Sequence, residues 1–189
     1  KLIIDLRGNG GGSLAECVDI ANMWIPKGMT LVETKGKIRR ANSEYKTRLE
    51  PIDTLMPLVI LVNDETASAS EIVSGSVQDL DRGIIIGTRT YGKGLVQIPN
   101  IEVPYNGNLK LTTAKYYIPS GRCIQAINYK HSGGGYKEHV PDSLTRVFYT
   151  RNGREVRDGG GIKPDIEVKP DTMANITLYL DRLDSTEVL

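Results

Sequence analysis

Cysteine and histidine are scarce in this 189-residue sequence, with two of each, and both scarcities restrict its chemistry. The two thiols, Cys17 and Cys123, are too few for a disulfide scaffold in a chain of this size; they neither demand nor forbid a single bridge. Together with His131 and His139 they show no C-x-x-C or H-x-x-x-H spacing, so nothing calls for a bound metal. An excess of charge of one sign is missing too. The 24 Lys and Arg against 23 Asp and Glu leave a formal net charge of +1, which gives no electrostatic case for nucleic acid or an anionic membrane. The apolar run from Pro57 to Val62 is far short of a bilayer span, so no transmembrane segment is expected. The chain opens at Lys1 without methionine and runs straight into a strand-like Leu2-Ile3-Ile4. A segment of a longer protein is therefore expected, with any targeting sequence upstream.

What is present suffices for one domain with a hydrophobic core: 39% of residues are apolar and 25% charged. Leu2 to Leu6 is a short apolar strand followed by the glycine run Gly8-Asn9-Gly10-Gly11-Gly12. From Ser13 the apolar positions Leu14, Cys17, Val18, Ile20, Ala21 and Trp24 recur at helical spacing, and Pro26-Lys27-Gly28 ends the helix. Thr30 to Glu33 reads as a strand, Lys35 to Glu50 as a polar hairpin or mobile excursion, and Leu58 to Val62 as a buried central strand. A turn at Asn63 to Thr66 leads into a helix from about Ser68 to Leu80, then a buried strand at Ile84 to Ile86. This β-α-β-β-α-β order predicts an α/β domain. Leu109 to Tyr117 alternates as a partly exposed strand does, and residues 129–161 are rich in loops, giving a β-rich C-terminal portion.

Three stretches carry chemistry. Thr66-Ala67-Ser68-Ala69-Ser70-Glu71 places hydroxyls at a helix N-terminus, where free N–H groups and the helix dipole favour an oxyanion. The same residues fit an S-x-x-E capping box, whose only task is to start a helix. Gly92-Lys93-Gly94 holds a lysine in a tight turn after a strand. A serine nucleophile needs a base, and both histidines sit in the polar, glycine-rich second half, which poorly supports a Ser–His–Asp arrangement. Lysine does the same work in Ser–Lys centres, provided that it is neutral. Gln97, four residues on, is placed to orient the amine. Finally, the glycines after Asp5-Leu6-Arg7 free backbone N–H groups to face a ligand, with Gly11 or Gly12 as the second oxyanion donor. Gly8-x-Gly10-x-x-Ser13, with Glu33 ending the next strand, also approximates a dinucleotide fingerprint, although Ser replaces its third glycine.

Taken together, these segments resemble the carboxyl-terminal processing peptidases, or tail-specific proteases. The resemblance rests on Ile4-Asp5-Leu6-Arg7-Gly8-Asn9-Gly10-Gly11-Gly12, Val62-Asn63 with Thr66 to Ile72, Tyr91 to Gln97, Leu111 to Tyr117 with Pro119-Ser120-Gly121-Arg122, and Gly161 to Asp165, in the family's order. It implies Ser68 as nucleophile, Lys93 as general base and Gln97 as its orienting partner, with an oxyanion hole from the N–H groups of Ala69 and Gly11. Ser70 is the competing nucleophile on the same turn; the spacing from Ser68 to Lys93 is the family's. It further implies the α/β spiral of β-β-α units shared by the ClpP and crotonase group, protein or peptide substrates, no cofactor and no metal. A PDZ domain in the parent protein and work in the cell envelope or periplasm are implied as well. A peptide-binding module on the same fold, without turnover, is the alternative. Residues 126–160 receive no role.

Overall fold

Parallel pairing of short apolar strands explains why motifs so far apart in sequence meet. The computed structural model describes residues 1–128, 136–137 and 140–168; His131 and His139 lie outside them. The strands are β1 (Leu2–Asp5), β2 (Thr30–Gly36), β3 (Ser43–Lys46), β4 (Leu58–Val62), β5 (Ile84–Gly87), β6 (Leu95–Val103), β7 (Gly107–Tyr117), β8 (Ile127–Asn128), β9 (Tyr136–Lys137), β10 (Val147–Tyr149), β11 (Glu155–Arg157) and β12 (Ile166–Glu167). Helix α1 spans Leu14–Asn22 and α2 spans Ala69–Asp79. One sheet has the order β1-β4-β5-β12 with every pair parallel, Ile4 beside Ile60 and Leu61 beside Ile86. Its C-terminal edge therefore gathers three loops: the glycine run after β1, the Ser68 turn after β4 and the Lys93 loop after β5. In open α/β sheets this edge is where ligands bind.

The second sheet, β3-β2-β7-β6, is antiparallel. It takes in β2, which is longer than the expected Thr30 to Glu33 and forms a hairpin with β3 inside the polar excursion. The dinucleotide reading fails at this point. The neighbour of β1 is β4, and Glu33 lies in the other sheet, ion-paired with Lys35 at 2.7 Å. The central strand β4 buries Leu58, Ile60 and Val62, as expected. By contrast, β5 buries Ile85 but leaves Ile84 41% exposed, so it is only half covered. Along β7, Ala114 and Tyr116 face inward while Leu109 and Leu111 stay exposed. Strand β6 has no clear signal in the sequence. It contains Pro99, which has no N–H to give to the ladder, and the pairing with β7 shifts register between Ile98 and Ile101.

Every residue of α2 is buried, although its sequence ASEIVSGSVQD is more than half polar. Burial of polar groups is tolerable only when each finds a partner. Ser70 donates to Asn9 Oδ1 at 2.9 Å, Ser74 to the Ser70 carbonyl at 2.9 Å, Ser76 to the Leu31 carbonyl at 3.0 Å, and Gln78 to the Lys163 carbonyl at 2.9 Å. Gly75 is where Ile118 and Ile162 close on the helix; an added Cβ would lie 2.8 Å and 2.9 Å from their Cδ1 atoms. The core around α2 joins Cys17, Val18 and Ala21 of α1 to Leu31 and Val32 of β2, the inner face of β4, and Ile118, Ile124 and Ile162.

Both cysteines are free thiols. Burial pushes the Cys17 thiol up to about 12, while its Sγ donates to the Ala69 carbonyl at 3.5 Å. At pH 8 roughly one Cys17 in ten thousand is a thiolate, and the thiolate is the reactive species. Iodoacetamide is therefore expected to spare Cys17 in native protein and to modify it after unfolding, as read by peptide mass mapping. Rapid native modification would contradict the packing of α1 on α2.

Candidate active site

Ser68 closes the turn after β4 and caps α2, with φ 58° and ψ −120°. Few residues other than glycine adopt such a backbone, and the surroundings must enforce it. They do so from two sides. The Ser68 N–H donates to Glu71 Oε2 at 2.9 Å, and the Ser68 carbonyl accepts from the N–H groups of Glu71 at 2.9 Å and Ile72 at 3.1 Å. The glutamate leg of the expected capping box is thus made. The side chain of Ser68 is half-buried. Burial pushes the Tyr116 phenol up, and a hydrogen bond with the Ser68 hydroxyl acts against that shift. Ser70 is placed otherwise: 5% exposed, with its hydroxyl committed to Asn9, it ties two loops together.

The glycine loop is stitched to the Ser68 turn at successive points. Thr66 Oγ1 donates to the Leu6 carbonyl at 2.8 Å, Gly8 N–H to Asn63 Oδ1 at 2.9 Å, and Ala67 N–H to the Asn9 carbonyl at 3.0 Å. Gly11 has φ +97°, and an added Cβ would lie 2.7 Å from the Ala67 carbonyl oxygen, 2.8 Å from Ser68 Cβ and 2.9 Å from Ala69 N. No side chain fits there, so glycine is a steric requirement for this approach. The Gly11 N–H donates to Asn9 Oδ1 at 3.0 Å. Ala69 is the first helical residue, so its N–H has no intrahelical acceptor, and none of the described residues supplies another. Before the loop, Arg7 bonds the Asp5 carboxylate through its side chain and N–H, holding that carboxyl down at about 2.

The lysine loop arrives from β5. Tyr91 N–H donates to the Thr66 carbonyl at 3.0 Å, and the N–H groups of Gly92 and Lys93 donate to the Glu71 carboxylate at 2.7 Å and 2.9 Å. Gly92, at φ +87°, is pressed against Ala126, to whose N–H its carbonyl is bonded at 2.9 Å. Ser68 and Lys93 thus share one acceptor, Glu71 Oε2, and their backbones lie side by side. The Lys93 side chain is half-buried. Gln97 is the third residue of β6, and its amide donates to Thr112 Oγ1 at 3.3 Å across the β6–β7 pair rather than to the lysine.

Glu71 is the residue to which the sequence pointed only as a helix cap. Its carboxylate is fully buried and accepts from Thr90 Oγ1 at 2.5 Å, besides Gly92, Lys93 and Ser68. Burial pushes the carboxyl above the usual range, and these four donors oppose the shift. The S-x-x-E pattern contains it, but the three donors from the lysine loop are tertiary contacts without a local signature.

The sequence model of Peptidase family S41 matches residues 1–131. The carboxy-terminal-processing protease of Bartonella bacilliformis is 42% identical over 125 residues, 66% of this chain and 28% of that protein. The chloroplastic C-terminal processing peptidase of Tetradesmus obliquus is 39% identical over 147 residues, 77% of this chain and 31% of that protein. The chain thus spans under a third of the curated relatives it matches. Among solved structures, the photosystem II D1 C-terminal processing protease superposes with a TM-score of 0.65 and 29% identity, covering 92% of this chain and 36% of that one. These likenesses place the parallel sheet, α2 and the gathered loops in one known fold, and the chain belongs to peptidase family S41.

Proposed function

We propose that this chain is the catalytic core of a serine endopeptidase that cleaves protein substrates near their C-termini through a Ser–Lys centre. The observation that carries the reading is the strained Ser68 at the N-terminus of a buried helix, with the backbone of Lys93 tied beside it through Glu71. Ser68 Oγ attacks the scissile carbonyl while the neutral Lys93 amine takes its proton. The developing oxyanion is met by the Ala69 N–H and a glycine N–H of the first loop. For Gly11 to be that donor, its N–H exchanges Asn9 Oδ1 for the substrate oxygen. The intermediate collapses to a Ser68 ester, and Lys93 returns its proton to the departing amine. Water, deprotonated by Lys93, then hydrolyses the ester. Gln97 orients the amine once it leaves Thr112. The preference for C-termini is carried over from the names of the relatives. On resemblance alone, we assign the parent protein a PDZ domain and a place in the cell envelope.

The test is cleavage of an unstructured protein substrate by the intact protein beside Ser68→Ala and Lys93→Ala. Each variant is expected to lose at least ~1,000-fold in rate with circular dichroism unchanged. Cleavage surviving in Ser68→Ala removes the nucleophile assignment and turns attention to Ser70. An intact protein that cleaves nothing, yet binds peptide equally well with Ser68→Ala, is a binding module instead.

A further inference from the structure

The geometry points to Glu71 as a positioning residue that fixes the nucleophile turn and the lysine loop to one another through its two carboxyl oxygens. This inference rests on the Ser–Lys reading above and adds a residue to which that reading gives no part.

A helix cap requires one contact, from Glu71 to the Ser68 N–H, and is normally made at the surface. Here the carboxylate is fully buried, and three further donors reach it from the loop that carries the base. The distribution is ordered. Oε1 takes Thr90 Oγ1 and the Gly92 N–H, while Oε2 takes the N–H groups of Ser68 and Lys93. Thr90 Oγ1 also accepts from the Ile162 N–H at 2.7 Å. The three backbone N–H groups can only donate, and between them they reach both carboxyl oxygens, so both oxygens serve as acceptors. The pocket is built for two acceptor oxygens. Because Glu71 sits in the first turn of the buried helix α2, both loops are anchored to one rigid element. Nucleophile and base reside on separate loops after separate strands, and displacement of a reacting group by about 1 Å costs roughly 100-fold in rate.

Glu71→Gln separates a brace from a cap. The amide oxygen still serves one pair of donors, but the NH₂ group then confronts the other: at the Oε2 position it loses the N–H groups of both Ser68 and Lys93, at the Oε1 position that of Gly92. The expected result in the intact protein is a loss of roughly 100-fold in kcat with KM within about threefold of the parent. A matching fall is expected in the rate at which a fluorophosphonate probe labels Ser68. Thr90→Val removes one donor without touching the helix cap and is expected to lower kcat at constant KM, whereas Thr90→Ser restores it. That pair decides the question if Glu71→Gln does not fold. A folded Glu71→Gln with parental kcat and labelling rate overturns the inference, as does a Thr90→Val loss that Thr90→Ser does not rescue. Ser68→Ala and Lys93→Ala, measured alongside, keep the two ideas apart. If those variants still cleave, the Ser–Lys reading falls; if they are dead while Glu71→Gln is fully active, only the brace falls.

Discussion

Ser68→Gly is expected to raise the midpoint of thermal unfolding while abolishing cleavage. The loss of activity follows from removal of the nucleophile; the gain in stability follows from φ 58° and ψ −120°, a conformation that strains any residue with a Cβ. Such strain is worth about 1–3 kcal/mol and persists at functional sites because the surroundings over-determine it. Glycine relieves it, at the expense of about 0.5–1 kcal/mol of extra backbone freedom in the unfolded chain. It also forfeits the hydroxyl contact with Tyr116. The balance is a gain of about 1 kcal/mol, or roughly 2–4 °C for a domain of this size. Ser68→Ala keeps the Cβ and therefore the strain, so it makes the matched control: equally inactive but not stabilised. Calorimetry of the three proteins decides. A glycine variant that melts below the alanine variant would mean that the turn stores no strain.

The same turn shows how far sequence reasoning reaches. Strands β1, β4 and β5 are legible because each is a short apolar run bounded by glycine, asparagine or proline, and α1 because its apolar positions recur at helical spacing. Once those strands pair in parallel, convergence of the loops that follow them is a consequence of topology. The partner of each strand is not local information. Thr30 to Gly36 carries nothing that directs it to the antiparallel sheet, which is why Glu33 passes for a ribose-binding acid until β4 is seen beside β1. Gln97 is similar: its amide contact follows from its register opposite Thr112, which a bulged strand hides. Burial of charge is the least legible property. A helix as polar as α2 reads as solvent-facing along one side, whereas Glu71 and Asp79 are among its most deeply buried residues. Their partners come from Thr90 to Lys93 and from Arg122.

At the far end of α2 from Ser68, this hidden chemistry sets the largest expected stability effect. Asp79 and Arg122 have side chains 0% and 1% exposed, paired at 2.8 Å. Arg122 also donates to Gln78 Oε1 at 2.8 Å and to the Arg157 carbonyl at 3.1 Å, and Asp79 Oδ2 accepts the Ser120 N–H at 3.0 Å. Burial pulls the guanidinium down and Asp79 pushes it back up. Removal of either partner strands the other charge where no water reaches it, a cost of about 3–5 kcal/mol. Arg122→Met and Asp79→Leu are each expected to lose that much, lowering the unfolding midpoint by roughly 6–20 °C. The double variant, with no charge left to strand, is expected to lose much less than the two single losses combined, because a buried pair is nearly neutral against an apolar replacement. Chemical denaturation of the four proteins gives the coupling directly. Additive losses would mean that the two side chains stabilise the fold independently, Arg122 through Gln78 and Arg157, and Asp79 through the Ser120 turn. A strong coupling would instead make the pair a single clamp, by which the Pro119-to-Arg122 segment is fastened to the helix that presents Ser68.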